Sequence, residues 1–313
     1  MGAGAPPVAN GDGARDHPRR APIPIVAVDP AAEAAARARL TDGSHALRRL
    51  ADLAGWLGAV TGSDTPDVRA RIVLAAADHG VEPDATAAVA GAVDAAFVLV
   101  DAGVAGGLDP ADVRTGLGPS RDPRTEPALS VAEVALAVDA GRELAAGAAA
   151  DGVTVLAGAA AGGGLVAATC LAAALTGRGL DELADARIRD ACERALERHP
   201  DAAEGPLHAL RRLGAGDIAV LCGLALGAGE HGLGYVADGL GATAGAVVAA
   251  SIEPDLRPRL RAAAERPEGA HAALLSHAGL EAVLGHEPTL GPGIGAAAAL
   301  ALLRVAATAA SPR

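Results

Sequence analysis

The chain is almost without aromatic side chains. Of 313 residues only Trp56, Phe97 and Tyr235 are aromatic, 1% of the total, and the single methionine opens the sequence. Hydrophobic residues nevertheless make up 51%. The core must therefore be Ala, Val and Leu, with helices and strands drawn close through small side chains, and 41 glycines widen that option. Stability has to come from many short contacts rather than from a few large anchors. This apolar content excludes a wholly disordered chain, and the length suits one large or two small domains.

Charge narrows the function classes. There is no lysine, so all 26 basic residues are arginine, against 38 acidic ones, a formal net charge of −12. Such a balance argues against a general nucleic-acid surface, and the missing aromatics remove stacking platforms. Cys170, Cys192 and Cys222 show no CxxC spacing and read as small buried hydrophobes in a reducing, cytoplasmic setting. The nine histidines form no metal-ligand spacing. Residues 1–24 carry no apolar core segment of the secretory kind, and residues 1–27 are expected to be a disordered tail. Residues 153–176 are uncharged and long enough to span a bilayer. Gly162, Gly163 and Gly164 interrupt them, so a strand, a glycine turn and a buried helix are expected there instead.

The pattern along the chain predicts an α/β protein: a mainly parallel sheet flanked by helices in three Rossmann-like layers, with a smaller helical part built from both chain ends. Residues 31–60 read as helical, with Leu47, Leu50, Leu53, Ala54 and Leu57 on one face. Apolar runs at Arg71–Ala77, Phe97–Val100, Val153–Leu156 and Leu233–Val236 look like buried parallel strands. Helices are expected from about Val131 and over Leu240–Ser251. The expected division is a tail over 1–27, an amino-terminal helical part over 28–62, an α/β domain over 67–254 and a carboxy-terminal helical part over 255–313. In such sheets ligands bind beyond the carboxyl ends of the strands, where Asp78, Asp101, Gly158 and Asp238 fall.

Three stretches could carry chemistry. The glycine turn at 158–164, GAAAGGG, precedes a predicted helix, so its N–H groups either cradle a phosphate or simply allow tight packing. It is not a Walker loop, since no Lys-Ser/Thr pair follows. Asp78 and His79 at a strand end read as an acid/base pair, a ligand pair or a structural turn. The Pro- and Gly-rich loop 116–130 ends in Ser130 with Glu133 three residues on, the pattern of a capping box, while Asp122 and Glu126 could instead face a site.

Taken together and in order, these segments resemble the nicotinate-nucleotide–dimethylbenzimidazole phosphoribosyltransferases of cobamide (vitamin B12) lower-ligand assembly. RLADLAGWL at 49–57 is similar to that family's amino-terminal helix, and AAADHGV at 75–81 to its AGDHGV strand end. SRDPRTEPALSVAEVALAVDAG at 120–141 is similar to its TxDxxxEPALTxEEAxxAxxAG. Residues 158–177 stand in the place of its GEMGIGNTT turn and helix, and LDELADAR at 180–187 in that of IDDxGLAR. LGAGDIAVLCGLALGA at 213–228, VADGLGATAGAVVAA at 236–250, RPEGAH at 266–271 and LGPGIGAAAALALLRVA at 290–306 continue the order.

The resemblance implies a homodimer that needs no metal or organic cofactor. Its substrates would be the small molecules nicotinate mononucleotide and a benzimidazole, with neither nucleic acid nor membrane as partner. The implied reaction moves ribose 5-phosphate to a benzimidazole nitrogen, giving α-ribazole phosphate with inversion and releasing nicotinate. Asp78, His79, Gly158, Gly163, Gly164, Arg187 and Asp238 are then the expected substrate-binding residues. Asp122, Glu126, Asp181, Asp217 and His271 are also retained from the pattern.

The departures fall on the ligand-facing turns. The family's catalytic glutamate in LGEGTG is matched by Pro292, which has no side-chain acceptor, so no catalytic residue of the pattern is intact. Ala159 stands for the acid of GEMG, Leu165 and Val166 for its two threonines, and Ile188 for the lysine after LAR. Most of a glycine-rich phosphate loop before Leu180 and an SxYP segment after DHGV are missing. His286 and Glu287, close before Pro292, are the candidate substitute bases. A non-catalytic ligand-binding or partner paralogue is the competing expectation.

Overall fold

The computed structural model describes residues 24–40, 47–77, 94–161, 164–286 and 291–312. In chain order its elements are α1 (Pro30–Ala38), α2 (Arg48–Thr61), β1 (Ala70–Ala76), β2 (Ala95–Asp101), β3 (Val113–Arg114), α3 (Val131–Ala150), β4 (Val155–Ala161), α4 (Leu165–Thr176), α5 (Leu180–Leu183), α6 (Arg189–Arg198), α7 (Pro206–Leu213), α8 (Gly216–Glu230), β5 (Gly234–Asp238), α9 (Gly239–Ile252), β6 (Leu260–Ala262), α10 (Gly269–Ala278) and α11 (Ile294–Ala310). The six strands form one sheet in the order β3-β2-β1-β4-β5-β6, and every pairing is parallel. The order reverses between β1 and β4, the place where a doubly wound sheet opens a crevice.

Alternation along the strands sorts the core into two layers. Val73, Ala75, Leu156, Tyr235 and Ala237 face α8 and α9. Ile72, Val155, Ala157 and Val236 face α2 and α11. Because both faces are covered, the four long strands are almost continuously apolar, as expected of a parallel sheet. The shorter β3 and β6 were not anticipated: two and three residues carry no period to read. β6 falls within 255–313, the stretch expected to be helical.

Small side chains let the outer helices approach at backbone distance. A Cβ added at Gly223 of α8 would lie 2.0 Å from the Val138 carbonyl oxygen of α3, and one at Gly141 of α3 would lie 2.0 Å from the Val220 oxygen. On the opposite face Trp56 is the main aromatic anchor. It is buried in α2 against Gly234 and donates its Nε1–H to the Pro258 carbonyl at 3.1 Å.

Several expectations on local structure are met and others are corrected. Ser130 accepts from the Glu133 N–H while Glu133 reaches back to the Ser130 N–H, completing the capping box. The helix expected over 31–60 is two helices, α1 and α2; the turn-forming sequence TDGS between them lies outside the described residues. Residues 24–27, expected to close the tail, are held in place. Buried Arg259 donates to the carbonyls of Val26 at 2.6 Å and Ala27 at 3.0 Å, and also to those of Val60 and Gly232. Residues 1–23 lie outside the described residues. The uncharged stretch 153–176 divides into β4 and α4, and no helix among the described residues is long and apolar enough to cross a membrane.

Candidate functional site

The sheet delivers its polar residues to one rim. At the crevice between β1 and β4, the Ala77 N–H donates to the Ala161 oxygen at 3.3 Å, so the two strands stay joined to their last residues. Asp78 and His79, which follow β1, and Gly163, which follows β4, lie outside the described residues.

Part of the stretch expected to be a glycine turn is strand. Gly158 sits inside β4, in register with Val73 and Ala237. A Cβ there would meet the Tyr235 hydroxyl at 2.2 Å, so this glycine makes room for the ring of the neighbouring strand rather than offering an N–H to a ligand. Ala159 likewise lies buried within β4. The first four residues of the expected turn are therefore strand. Gly164 precedes α4, over the buried carboxylate of Asp217 at the start of α8.

Two strand-end aspartates take different roles. Asp101 accepts from the N–H groups of Gly103, Val104 and Leu108 at 2.9–3.0 Å. Burial alone would raise its carboxyl pKa, but these donors and nearby Arg114 outweigh it and hold the group below the ordinary range. It shapes its own loop. Asp238 is sealed at the end of β5 and accepts from the Ala296 N–H and from Arg266 Nη2, each at 3.0 Å. Burial pushes its carboxyl upward against the pull of Ala296, Arg266 and Gly293. A Cβ at Gly295 would fall 2.4 Å from Asp238 Oδ1, so glycine there lets the start of α11 settle on the carboxylate. Through this contact Asp238 fixes the turn 291–293 that carries Pro292. Pro292 itself is exposed.

Two clefts are lined by residues of the segment 265–269, which carries Arg266. One of about 870 Å³ is lined by Arg49, Glu265, Arg266, His271, Glu281 and His286 among others. His271 is buried; its Nε2 is 3.1 Å from Thr243 Oγ1 and its Nδ1 has no partner. Burial first, and Arg266 second, hold its pKa down to about 4, so the ring is neutral near pH 7. His286 is exposed at the cleft's edge, and Glu287 lies outside the described residues.

The second cleft, about 440 Å³, lies among α4, α5, the segment 184–188 and the start of α10. Its walls include Leu165, Thr169, Leu183, Ile188, Pro267 and Glu268. Arg187 lines it too but is strongly exposed and pairs with Asp185 at 2.8 Å. Thr169 is 1% exposed and its hydroxyl has no partner. One Glu268 oxygen is likewise buried and unpartnered. Neither residue, nor Arg266, is singled out by the sequence as a ligand contact. Arg266, Glu268 and His271 lie in RPEGAH, which was legible as a motif, whereas nothing in spacing marks Thr169.

Asp122 and Glu126 belong to a braced loop. Asp122 is bound by Arg124, and the Glu126 carbonyl is 3.2 Å from His199 Nε2. Cys170, Cys192 and Cys222 are all buried, the first with its sulfur 3.9 Å from the Cys192 carbonyl.

The strand order and the crevice define a doubly wound α/β protein. Comparison with known proteins gives the family. A family model described as phosphoribosyltransferase matches residues 25–90 and 83–312. The nicotinate-nucleotide–dimethylbenzimidazole phosphoribosyltransferase of Mycobacterium avium is 36% identical over 90% of this chain and 93% of its own length. That of Thermus thermophilus is 35% identical over 90% and 95% respectively. A crystal structure of the Thermus thermophilus enzyme superposes with a TM-score of 0.80 at 33% identity, covering 90% of this chain and 96% of that one. The chain belongs to the nicotinate-nucleotide–dimethylbenzimidazole phosphoribosyltransferase family.

Proposed function

We propose that the protein transfers ribose 5-phosphate from nicotinate mononucleotide to a benzimidazole nitrogen, slowly, because Pro292 occupies the place of the family's catalytic glutamate. Family membership over nine-tenths of the chain supports the reaction class. The observation that carries the rest is the seat of the 291–293 turn: Asp238 grips the start of α11 and so places Pro292 at the strand-end rim, where a ligand would lie.

In this reading the ring nitrogen attacks the anomeric carbon while the bond to the nicotinate nitrogen breaks. The electron pair returns to the pyridine ring, and the benzimidazolium formed must lose its N–H proton. A positioned base contributes about 10²–10⁴-fold to such a step, and a proline side chain has no lone pair for it. Binding and alignment of the two substrates would remain the protein's own contribution. The reading includes a homodimer acting in the cytoplasm, without a metal or organic cofactor.

The test is nicotinate release from nicotinate mononucleotide and 5,6-dimethylbenzimidazole. Wild-type protein is expected to turn over slowly, and Pro292→Glu to raise the rate by about 10²–10⁴-fold. Rapid release by the unaltered protein would overturn the role given to Pro292.

A second reading is favoured by the apolar replacements in the smaller cleft, Leu165 and Ile188. In it the protein is a non-catalytic paralogue that binds ligand or pairs with an active relative. Ligand binding without any nicotinate release at high protein concentration, in both the wild type and Pro292→Glu, would decide for it.

A further inference from the structure

Two of the three cysteines meet in the fold. Cys170 of α4 and Cys192 of α6 are 22 residues apart in the chain. Each sulfur lies against the backbone of the other's helix. Cys170 Sγ is 3.9 Å from the Cys192 carbonyl oxygen, and Cys192 Sγ is 4.0 Å from the Val166 carbonyl oxygen of α4. The two thiols also interact side chain to side chain, and both residues are shut away from solvent. Cys222 stands apart in α8, a helix buried along almost its whole length, and burial pushes its thiol up to about 12.

The pair is asymmetric. Contact with Cys192 first, and burial second, push the Cys170 thiol upward, whereas the interaction with Cys170 draws the Cys192 thiol down despite its own burial. Cys192 is therefore the better nucleophile of the two. Access follows the same order. Six of the ten residues of α6 are charged, and only Cys192 and Ala195 are buried, so little apolar area holds this helix down. An element attached so lightly opens at small cost, and its opening bares Cys192. Cys170 sits deeper, in a run of α4 buried from Ala168 to Ala172. A reactive thiol thus rides on the movable helix and faces a second thiol on the fixed one.

We propose that Cys170 and Cys192 form an oxidation site, at which hydrogen peroxide converts the two thiols into a disulfide joining α4 to α6. The Cys192 thiolate attacks one peroxide oxygen and the O–O bond breaks. The sulfur is oxidised to a sulfenic acid, and the other oxygen leaves as water with the Cys192 proton. The Cys170 sulfur then attacks the Cys192 sulfur. The S–S bond forms, the S–O bond breaks, and hydroxide leaves as a second water with the Cys170 proton. The two thiols lose two electrons in all, and one peroxide takes them up. The link has a consequence for the cleft of about 440 Å³. Leu165 and Thr169 of α4 line it on one side, and the segment 184–188, which runs straight into α6, lines it on another. Oxidation would tie these walls together.

The test exposes the full, reduced chain to hydrogen peroxide in native buffer, then titrates thiols in denaturant and maps peptides by mass. The sequence supplies three thiols. A single titratable thiol is expected after treatment, with a peptide pair joined through Cys170 and Cys192 that dithiothreitol separates. The denaturation midpoint of the oxidised protein is expected to rise by about 5 °C, because the link restrains the unfolded chain. Cys222→Ala is expected to form the same link. Cys170→Ala should stop at a Cys192 sulfenic acid that dimedone captures, and Cys192→Ala should keep both of its remaining thiols. Alanine suits both helices, and the wild-type result stands whether or not the variants fold. Survival of all three thiols in wild type overturns the proposal. So does a link through Cys222 or to a second chain, or over-oxidation of Cys192 without a link. Dimedone capture at Cys170 in Cys192→Ala overturns the order of attack.

Discussion

The interior and the strand-end rim of this molecule are built on opposite terms. Where α3 crosses α8, glycines bring two backbones into contact, and no side chain remains to adjust. At the rim, buried polar atoms of Thr169, Glu268 and His271 stand without partners in the protein. The first region is closed by backbone against backbone, and the second holds polar atoms without a partner. Pro292, Leu165 and Ile188, the positions that the sequence reading sets apart from the family pattern, all lie away from the seam of α3 and α8. A backbone contact tolerates almost no substitution, while a ligand-facing turn can lose its chemistry and leave the fold intact.

The sharpest way to break this comparison is to force a side chain into the interior seam. Gly223→Val would drive a Cβ against the Val138 carbonyl, with no flexible neighbour to yield. A loss of about 4 kcal/mol or more is expected, read as failure to fold or a lowered denaturation midpoint. A change below about 1 kcal/mol would show that the helices can separate cheaply, and the contrast with the rim would fail.

Acid probes the rim. His271 is held neutral, with its pKa depressed from 6.5 to about 4 by burial and by Arg266. The unfolded chain binds the proton first, so the stability due to the neutral ring is full above pH 6.5 and is lost as the pH falls toward 4. The loss over that window is roughly 3 kcal/mol. It should be visible as a denaturation midpoint that falls more steeply with acid in wild type than in His271→Asn. Parallel pH profiles for the two proteins would remove His271 from the account.

The smallest effect concerns an interior atom that resembles the rim. The Tyr235 hydroxyl is fully buried against Gly158 without a partner, and burial pushes its pKa upward. No ligand is expected to reach it. Tyr235→Phe should therefore stabilise the protein by about 1 kcal/mol, by removing an unpaired polar atom from an otherwise complete core. Destabilisation by a similar amount would mean that the hydroxyl has a partner after all, and that the interior too contains a polar site.

Much of the site was hidden from sequence for a geometric reason. Gly158 reads as the start of a glycine turn because Gly162–Gly164 follow it, yet the strand runs on to Ala161 and Gly158 serves the ring of Tyr235. Asp238 reads as a strand-end ligand contact, and its position is right, but its oxygens are taken by Ala296 and Arg266, 58 and 28 residues away. Arg187, read from sequence as a substrate contact, lines the smaller cleft with its charge engaged by Asp185. Thr169 and Glu268 had no reason to be grouped, since helices α4 and α10 meet only in the fold.

By itself the sequence determined the layer architecture and the four long strands, because the burial of both sheet faces writes continuous apolar runs into the chain. It also determined the capping box at Ser130, a local hydrogen-bond pattern four residues long, and through the order of its motifs the family. Tertiary structure alone decided which polar atoms are satisfied and which are left open. Partnering is a property of distances between segments far apart in the chain, and no local period records it.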